Sequence, residues 1–163
     1  MAFQLNNNFN NRSYSSNYKS SNNSYQESTV DKIFNSYVTL TENNYVEFAE
    51  KSINALKEHT DRKVLTTSKI RNILALNAEI YNDVVNEPEE LLSAEVVGRI
   101  NYLKVRIIYE CGREDSVKIF VNEAFLLKVI DEIKGIKKQY LLFSRYLEAL
   151  VAYRKFICGR DED

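Results

Sequence analysis

YLLFSRYLEALVAYRKF, from Tyr140 to Phe156, is the stretch that decides the fold of this chain. At helical spacing its apolar residues fall on two opposite sides, and the first stripe contains Tyr140, Phe143, Leu147, Leu150 and Val151. The second stripe contains Leu142, Tyr146, Ala149, Tyr153 and Phe156. A helix that is apolar on two sides must be enclosed by neighbouring helices or by another chain. The stretch therefore predicts the central helix of a helical domain, with Arg145, Arg154 and Lys155 as cations at its margins.

The composition of the whole chain favours the same all-α class. Its 163 residues suit one domain, and four glycines and one proline are too few for a β-sandwich or a Rossmann sheet, which need many tight turns. The formal net charge is −1, so global charge does not indicate a nucleic-acid binder. We predict a single compact helical bundle of about five helices over residues 29–163, preceded by a disordered Asn/Ser-rich tail over residues 1–28.

Four further helices are predicted from apolar periodicity and from residues that start or stop helices. The first runs from near Asn44 to the polar loop His59–Lys63, and the second from behind Thr66-Thr67-Ser68 to Pro88. The third runs from about Glu89 to Cys111, with Gly112 as terminator, and the fourth from about Glu114 to Lys134. Asn77 lies among the apolar residues of the second of these helices. A buried amide there is expected to be hydrogen-bonded.

Residues for catalysis, metal binding or cofactor binding form no recognisable motif in this sequence. His59 is the single histidine and lies in a predicted loop, while Cys111 and Cys158 lack the spacing of metal ligands and are typical of reduced thiols. No phosphate-binding loop or dinucleotide fingerprint occurs, and we expect neither a signal peptide nor a membrane helix. We predict a cytoplasmic protein that is not an enzyme and has no cofactor, metal or membrane partner. An active site would require that carboxylates from separate helices converge in the folded protein.

Arg99, Arg106 and Arg113 recur every seven residues along one flank of the third predicted helix, with Tyr102 and Tyr109 beside them. Arg113 follows Gly112, the predicted terminator, so the sequence leaves its place on this flank open. Two helical turns rise about 10.5 Å, so these residues form a line of cations and aromatic rings. Such a line can neutralise phosphates and can offer stacking surfaces to unpaired bases. Spacing alone is equally compatible with a charged face that only keeps the protein soluble.

Three stretches resemble the small subunit of the type III-A CRISPR effector, the Csm complex. They are LTTSKIRNIL (Leu65–Leu74), YLKVRIIYECGRE (Tyr102–Glu114) and RYLEALVAYRKF (Arg145–Phe156), and the similarity extends from about Asn44 to the C-terminus. The resemblance implies an all-helical, non-catalytic subunit that stacks along the duplex of guide RNA and target RNA. It implies as partners both RNAs, other copies of the chain, and the backbone and large subunits of the complex.

The resemblance carries the basic positions of that family onto Arg71, Lys104, Arg113 and Arg145. With the arginine line and the neighbouring lysine, the candidate RNA-binding residues are Lys69, Arg71, Arg99, Lys104, Arg106, Arg113 and Arg145. Because guide pairing reads the sequence, contacts to backbone and shape are expected. If the helices pack side by side, these flanks are expected to form one basic surface. The alternative is a helical adaptor or oligomerisation module whose cations form salt bridges without touching RNA.

Overall fold

The computed structural model describes residues 39–59 and 67–159, and its regular elements in these ranges are helices, apart from one isolated β-bridge. In chain order the helices are α1 (Tyr45–His59), α2 (Thr67–Asn86), α3 (Ala94–Arg113), α4 (Asp115–Glu123), α5 (Leu126–Asp131) and α6 (Lys137–Cys158). The predicted all-α class is confirmed. The predicted tail over residues 1–28 and most of the predicted loop after α1 lie outside the described residues.

Helix α6 is the central helix that its two apolar stripes predict. It packs against α1, α2 and α5. The first stripe is buried except for Val151, whereas only Leu142 and Tyr146 of the second stripe are buried. From Val151 onward, however, only Arg154 is buried, so the last two turns lie at the edge of the core. Two expectations are therefore wrong: Phe156, assigned to the inner stripe, is 84% exposed, whereas Arg154, assigned to the margin, is buried.

Hydrogen bonds of two buried tyrosines fix α6 against its neighbours. The Tyr140 hydroxyl lies 2.9 Å from both the main-chain oxygen and Oδ1 of Asn77, and Nδ2 of Asn77 donates to the Ser144 hydroxyl, also at 2.9 Å. The Tyr146 hydroxyl donates to the main-chain oxygen of Ala124 at 3.0 Å. The expectation that Asn77 is hydrogen-bonded is confirmed. Leaving one such buried group without its partner costs about 1–3 kcal/mol.

The start of α3 differs from the prediction, which placed it at Glu89. The helix begins at Ala94, behind Ser93, whose hydroxyl accepts the main-chain N–H of Val96 at 3.4 Å. The preceding residues instead run beside the segment that enters α6, because Leu92 N–H donates to the main-chain oxygen of Gly135 at 2.8 Å. The apolar periodicity of the helix contains no information about this long-range hydrogen bond. It therefore predicts a start of α3 that is too early in the chain.

Two further predictions, the end of α3 and the single helix after it, are also wrong. Gly112 does not terminate α3, which continues to Arg113. The single helix predicted over about Glu114–Lys134 is broken into α4 and α5 at Phe125, whose φ of 49° is left-handed. The break leaves the main-chain oxygen of Ala124 to accept the Tyr146 hydroxyl and lets the Phe125 ring lie 6.4 Å from that of Phe48. Tertiary contacts thus stabilise a conformation that local propensity disfavours.

Helices α2 and α3 lie side by side and antiparallel. Lys69, near the start of α2, pairs with Glu114, which follows α3. Asp83, near the end of α2, pairs with Arg99, near the start of α3. This arrangement places one long flank of α3 along α2, and the candidate site lies on that flank.

Candidate nucleic-acid interface

Arg99, Arg106 and Arg113, which we call the arginine ladder, all lie within α3 on the flank that faces α2. Because α3 passes through Gly112 without interruption, Arg113 keeps the seven-residue register that the sequence predicts. The buried residues Ile100, Leu103 and Ile107 lie on the adjacent face of the same turns, which packs into the core. Tyr102 and Tyr109 are both more than half exposed beside the ladder. The predicted line of cations and aromatic rings is therefore present on the surface.

The C-terminal half of the ladder is built around one buried carboxylate. Glu110 lies with Oε1 at 3.4 Å from Nη2 of Arg106 and with Oε2 at 3.5 Å from Nη1 of Arg113. Both guanidinium carbons also lie over the ring of Tyr109, at 5.2 Å for Arg106 and 5.6 Å for Arg113 from its centroid. Arg106, Glu110 and Arg113 together carry a net positive charge, and both guanidinium groups remain partly exposed.

The N-terminal half of the ladder has the opposite balance of charge. Arg99 pairs with Asp83 and lies 3.8 Å from Glu79, so two carboxylates of α2 surround one guanidinium. A cavity of about 320 Å³ beside it is lined by Asp83, Glu87, Glu95 and Arg99 among other residues. Phosphates are repelled by such a surplus of carboxylates. Binding of a polyanion is therefore favoured at the Arg106–Arg113 end of the ladder.

The two candidate cations of α2 lie on different sides of that helix. Lys69 faces α3 and holds Glu114 at 2.9 Å and the Ser116 hydroxyl at 3.4 Å. Arg71 follows two positions later, about 200° further round the helix, and is exposed to solvent. Among the described residues it has neither a hydrogen bond nor an ion pair. Lys69 therefore lies near the C-terminal end of α3, next to Glu114, and Arg71 faces away from it.

Lys104 and Arg145 are held by carboxylates on other parts of the molecule. Lys104 lies on the opposite flank of α3 from the ladder and pairs with Asp131 of α5 at 2.5 Å. Arg145 of α6 lies with Nη1 at 2.8 Å from both carboxylate oxygens of Glu42. The structure therefore does not unite the seven candidates in one basic surface: it groups the ladder with Lys69 and separates the other three.

Glu110 is the functional candidate that sequence reasoning missed. The core of α3 was expected to end in Cys111, but Glu110 is buried and Cys111 is only partly covered. A signal was present, because Glu110 falls three residues after Ile107 on the stripe that contains Leu103. A carboxylate on the apolar stripe of a helix indicates a buried charge that needs a cationic partner.

Within residues 39–59 and 67–159, no three His, Cys, Asp or Glu side chains are grouped as metal ligands would be. Of the helices that the structure describes, none has both the length and the apolarity needed to cross a membrane.

Comparison with known proteins agrees with the fold and with the matched stretches. The profile of the family described as Csm2 Type III-A matches residues 27–160. A CRISPR system Cms protein Csm2 from Streptococcus thermophilus is 39% identical over 123 residues, which cover 75% of this chain and 98% of the relative. The protein of the same name from Enterococcus italicus is 44% identical over 94 residues, which cover 56% of this chain and 67% of the relative.

A third relative, with the same name, comes from Mycobacterium tuberculosis. It is 34% identical over 125 residues, which cover 77% of this chain and 100% of the relative. The helical fold, the family profile and these relatives bear out the resemblance that the three sequence stretches carry. The chain belongs to the Csm2 family of type III-A CRISPR systems, the small subunits of the Csm complex.

Proposed function

We propose that this chain is a non-catalytic structural subunit of a type III-A CRISPR ribonucleoprotein that binds along the duplex of guide RNA and target RNA. Its contacts are to the RNA backbone and do not depend on base sequence. Membership of the Csm2 family supports the structural role. The observation that carries the RNA contact is the Arg106–Arg113 end of the arginine ladder, where an exposed surface keeps a net positive charge.

The geometry of these arginines leaves donors for a phosphate. A guanidinium group has five N–H donors in a planar fork, and both Arg106 and Arg113 approach Glu110 through a single terminal nitrogen. The remaining donors are free to bind phosphate oxygens, which match the guanidinium fork well. A phosphate can therefore bind without displacing Glu110.

The intramolecular ion pairs rank the seven candidate cations. Lys69, Lys104 and Arg145 each hold an exposed or partly exposed carboxylate, so a phosphate must replace that partner. Such surface pairs contribute about 0–1 kcal/mol, so the exchange is possible but reduces the net gain. Arg71 has no carboxylate to release among the described residues. We therefore expect Arg71, Arg106 and Arg113 to contribute most to RNA affinity.

Salt-dependent binding of RNA by single-substitution variants tests this proposal. Arg71→Ala and Arg113→Ala should each weaken binding and lower the slope of log affinity against log salt by about one unit, since each removes one phosphate contact. The weakening should be similar for RNAs of different sequence. Lys155→Ala is the matched control, because it removes an exposed cation of α6 that lies outside the candidate set. Melting temperatures should remain almost unchanged for Arg71→Ala and Lys155→Ala, and should fall for Arg113→Ala, because that variant removes one of the two cations beside the buried Glu110.

A specific observation favours a helical adaptor as the second candidate function. The outward face of α3 exposes Val105 and Ile108, and Leu91 before the helix is also exposed, so apolar surface is available to a protein partner. If both arginine variants bind RNA as tightly as Lys155→Ala does, the RNA proposal is wrong and the adaptor is favoured. If the arginine variants unfold, these side chains are structural.

A further inference from the structure

Glu110 is the only carboxylate residue that is buried in the part of the chain that the structure describes. Its side chain is 7% exposed, whereas the carboxylates that hold Lys69, Lys104 and Arg145 are at least 40% exposed. Taking a carboxylate out of water costs several kcal/mol unless a cation and hydrogen bonds compensate. Glu110 must therefore keep cationic partners in the folded protein.

Those partners are two members of the arginine ladder. Arg106 lies one turn before Glu110 and Arg113 lies one turn after it, and each approaches a different carboxylate oxygen. Seven residues of helix separate the two arginine backbones by about 10.5 Å, yet both guanidinium groups converge on one carboxylate. The Tyr109 ring lies under both cations. We call Arg106, Tyr109, Glu110 and Arg113 the Glu110 cluster.

We propose that Glu110 is a positioning residue for RNA binding, which holds the guanidinium groups of Arg106 and Arg113 together so that they bind the phosphodiester backbone as one preorganised unit. This rests on the proposed function, because it concerns how the same surface binds RNA. A free arginine side chain loses up to about 2 kcal/mol of rotamer entropy when it is fixed. In the Glu110 cluster that loss has occurred on folding, before any phosphate binds.

Burial gives Glu110 a different role from the exposed carboxylates. A phosphate that pulled both arginines away would leave a buried charge without a partner, which is strongly unfavourable. The arginines are therefore expected to stay on Glu110 and to bind phosphate with their outer donors. Exposed carboxylates such as Glu42 and Asp131 can instead return to water when a phosphate takes their cation. Neutralising Glu110 should thus weaken RNA binding, and neutralising an exposed carboxylate should not.

Glu110→Gln, which preserves shape, tests the proposal against Glu148→Gln, a matched change of an exposed carboxylate in α6. Both variants raise the net charge of the chain by one, which by itself strengthens attraction to RNA. If Glu110 positions the arginines, Glu110→Gln should bind RNA at least about threefold more weakly than Glu148→Gln, with a salt slope lower by about one unit. If Glu110 only competes with phosphate, Glu110→Gln will bind more tightly than the control, with a steeper slope. That result would overturn the proposal.

A double-arginine background separates positioning from a general effect on the fold. The variant that carries both Arg106→Ala and Arg113→Ala is expected to be less stable, because it leaves the buried Glu110 without both cations, so RNA affinities are compared at a temperature at which circular dichroism shows every variant folded. In this background, adding Glu110→Gln should change RNA affinity no more than adding Glu148→Gln does. A larger loss in that background would show that Glu110 does not act through the two arginines, and the proposal would be wrong.

The mobility of the arginines provides a measurement that needs neither RNA nor a variant. In the free protein, NMR order parameters of the arginine Nε–H groups should be higher for Arg106 and Arg113 than for the exposed Arg71. Equal mobility of the three groups would overturn the proposal. This measurement decides the proposal even when Glu110→Gln does not fold. If the unaltered chain does not bind RNA, the proposed function fails, while these order parameters still decide whether Glu110 holds the arginines.

Discussion

Two buried tyrosines, Tyr140 and Tyr146, make the stability of this protein depend on pH. Burial raises the pKa of Tyr140 above its ordinary value of 10.0, and the nearby Arg99 opposes this only in part. Burial likewise raises the pKa of Tyr146, which the hydrogen bond with Ser52 opposes. Both hydroxyls must keep their protons to donate to oxygens of Asn77 and Ala124. The protonated tyrosines are therefore part of the folded structure.

We expect the free energy of unfolding to fall as pH rises above about 10, because the unfolded tyrosines lose their protons there while the folded ones retain theirs. Each buried tyrosine contributes a slope of up to about 1.4 kcal/mol per pH unit between its unfolded and folded pKa values. Tyr146→Phe should reduce this slope and should cost about 1–2 kcal/mol at neutral pH through the lost hydrogen bonds.

Urea unfolding at several pH values between 8 and 11 measures both effects of Tyr146→Phe. The exposed Tyr102 provides the control, since Tyr102→Phe should leave the slope and the neutral-pH stability unchanged. Identical slopes for Tyr146→Phe and the unaltered chain would show that Tyr146 ionises as easily in the folded protein as in the unfolded one.

At the level of elements, signals within single helices predicted those features of the fold that depend on one helix alone. The two stripes predicted α6, and α2 ends at Asn86, just before Pro88. The seven-residue recurrence predicted that Arg99, Arg106 and Arg113 share a flank. These features follow from helical geometry alone.

Features that depend on packing between distant segments could not be predicted in this way. The start of α3 depends on the bond from Leu92 to Gly135, and the break before α5 depends on Phe125 and its partners. The carboxylates that hold Arg99, Lys104 and Arg145 belong to other elements, so their pairing follows from the fold. Among the described carboxylates that hold the candidate cations, Glu110 alone pairs with residues of its own helix, which is why its position on the stripe was a usable signal.

The turn that leads into α6 contains a residue whose replacement should stabilise the protein. Lys134 is exposed and has a φ of 48°, a left-handed conformation that costs a residue with a side chain about 1–2 kcal/mol. Lys134→Gly should remove most of this strain, but glycine also increases the entropy of the unfolded chain. The net effect should be to raise the free energy of unfolding by about 0.5–1 kcal/mol.

Lys134→Ala separates strain from charge, because it removes the same cation but keeps a Cβ in the left-handed region. Thermal denaturation should give a higher midpoint for Lys134→Gly than for Lys134→Ala. Equal midpoints would mean that the backbone at this turn is not strained.

Across the whole molecule, charge is organised locally although the chain has a net charge of −1. The start of α3 is surrounded by carboxylates of α2, while its end keeps the surplus of positive charge in the Glu110 cluster. Charges separated by more than about 8–10 Å are largely screened at physiological salt, so a polyanion responds to the local balance and not to the total. The proposed RNA surface is therefore compatible with a weakly acidic chain.

The boundary of the folded unit leads to the last prediction. The family profile begins at residue 27, and Leu40 is the first buried residue in the described ranges. We expect a chain that begins at residue 29 to melt within about 1 °C of the full chain, because the deleted Asn/Ser-rich segment cannot bury enough apolar surface to stabilise the core. Its RNA affinity should also be unchanged, since all seven candidate cations remain.

A second truncation that begins at residue 44 provides the contrast. It removes Leu40 from the core, which should cost about 2 kcal/mol in lost apolar burial, and it removes Glu42, the partner of Arg145. Its melting temperature should therefore fall, and Arg145 should become free to bind phosphate. If the first truncation already lowers the melting temperature, the segment before residue 29 packs on the core. If it lowers only RNA affinity, the aromatic residues of that segment contribute to binding by stacking on bases.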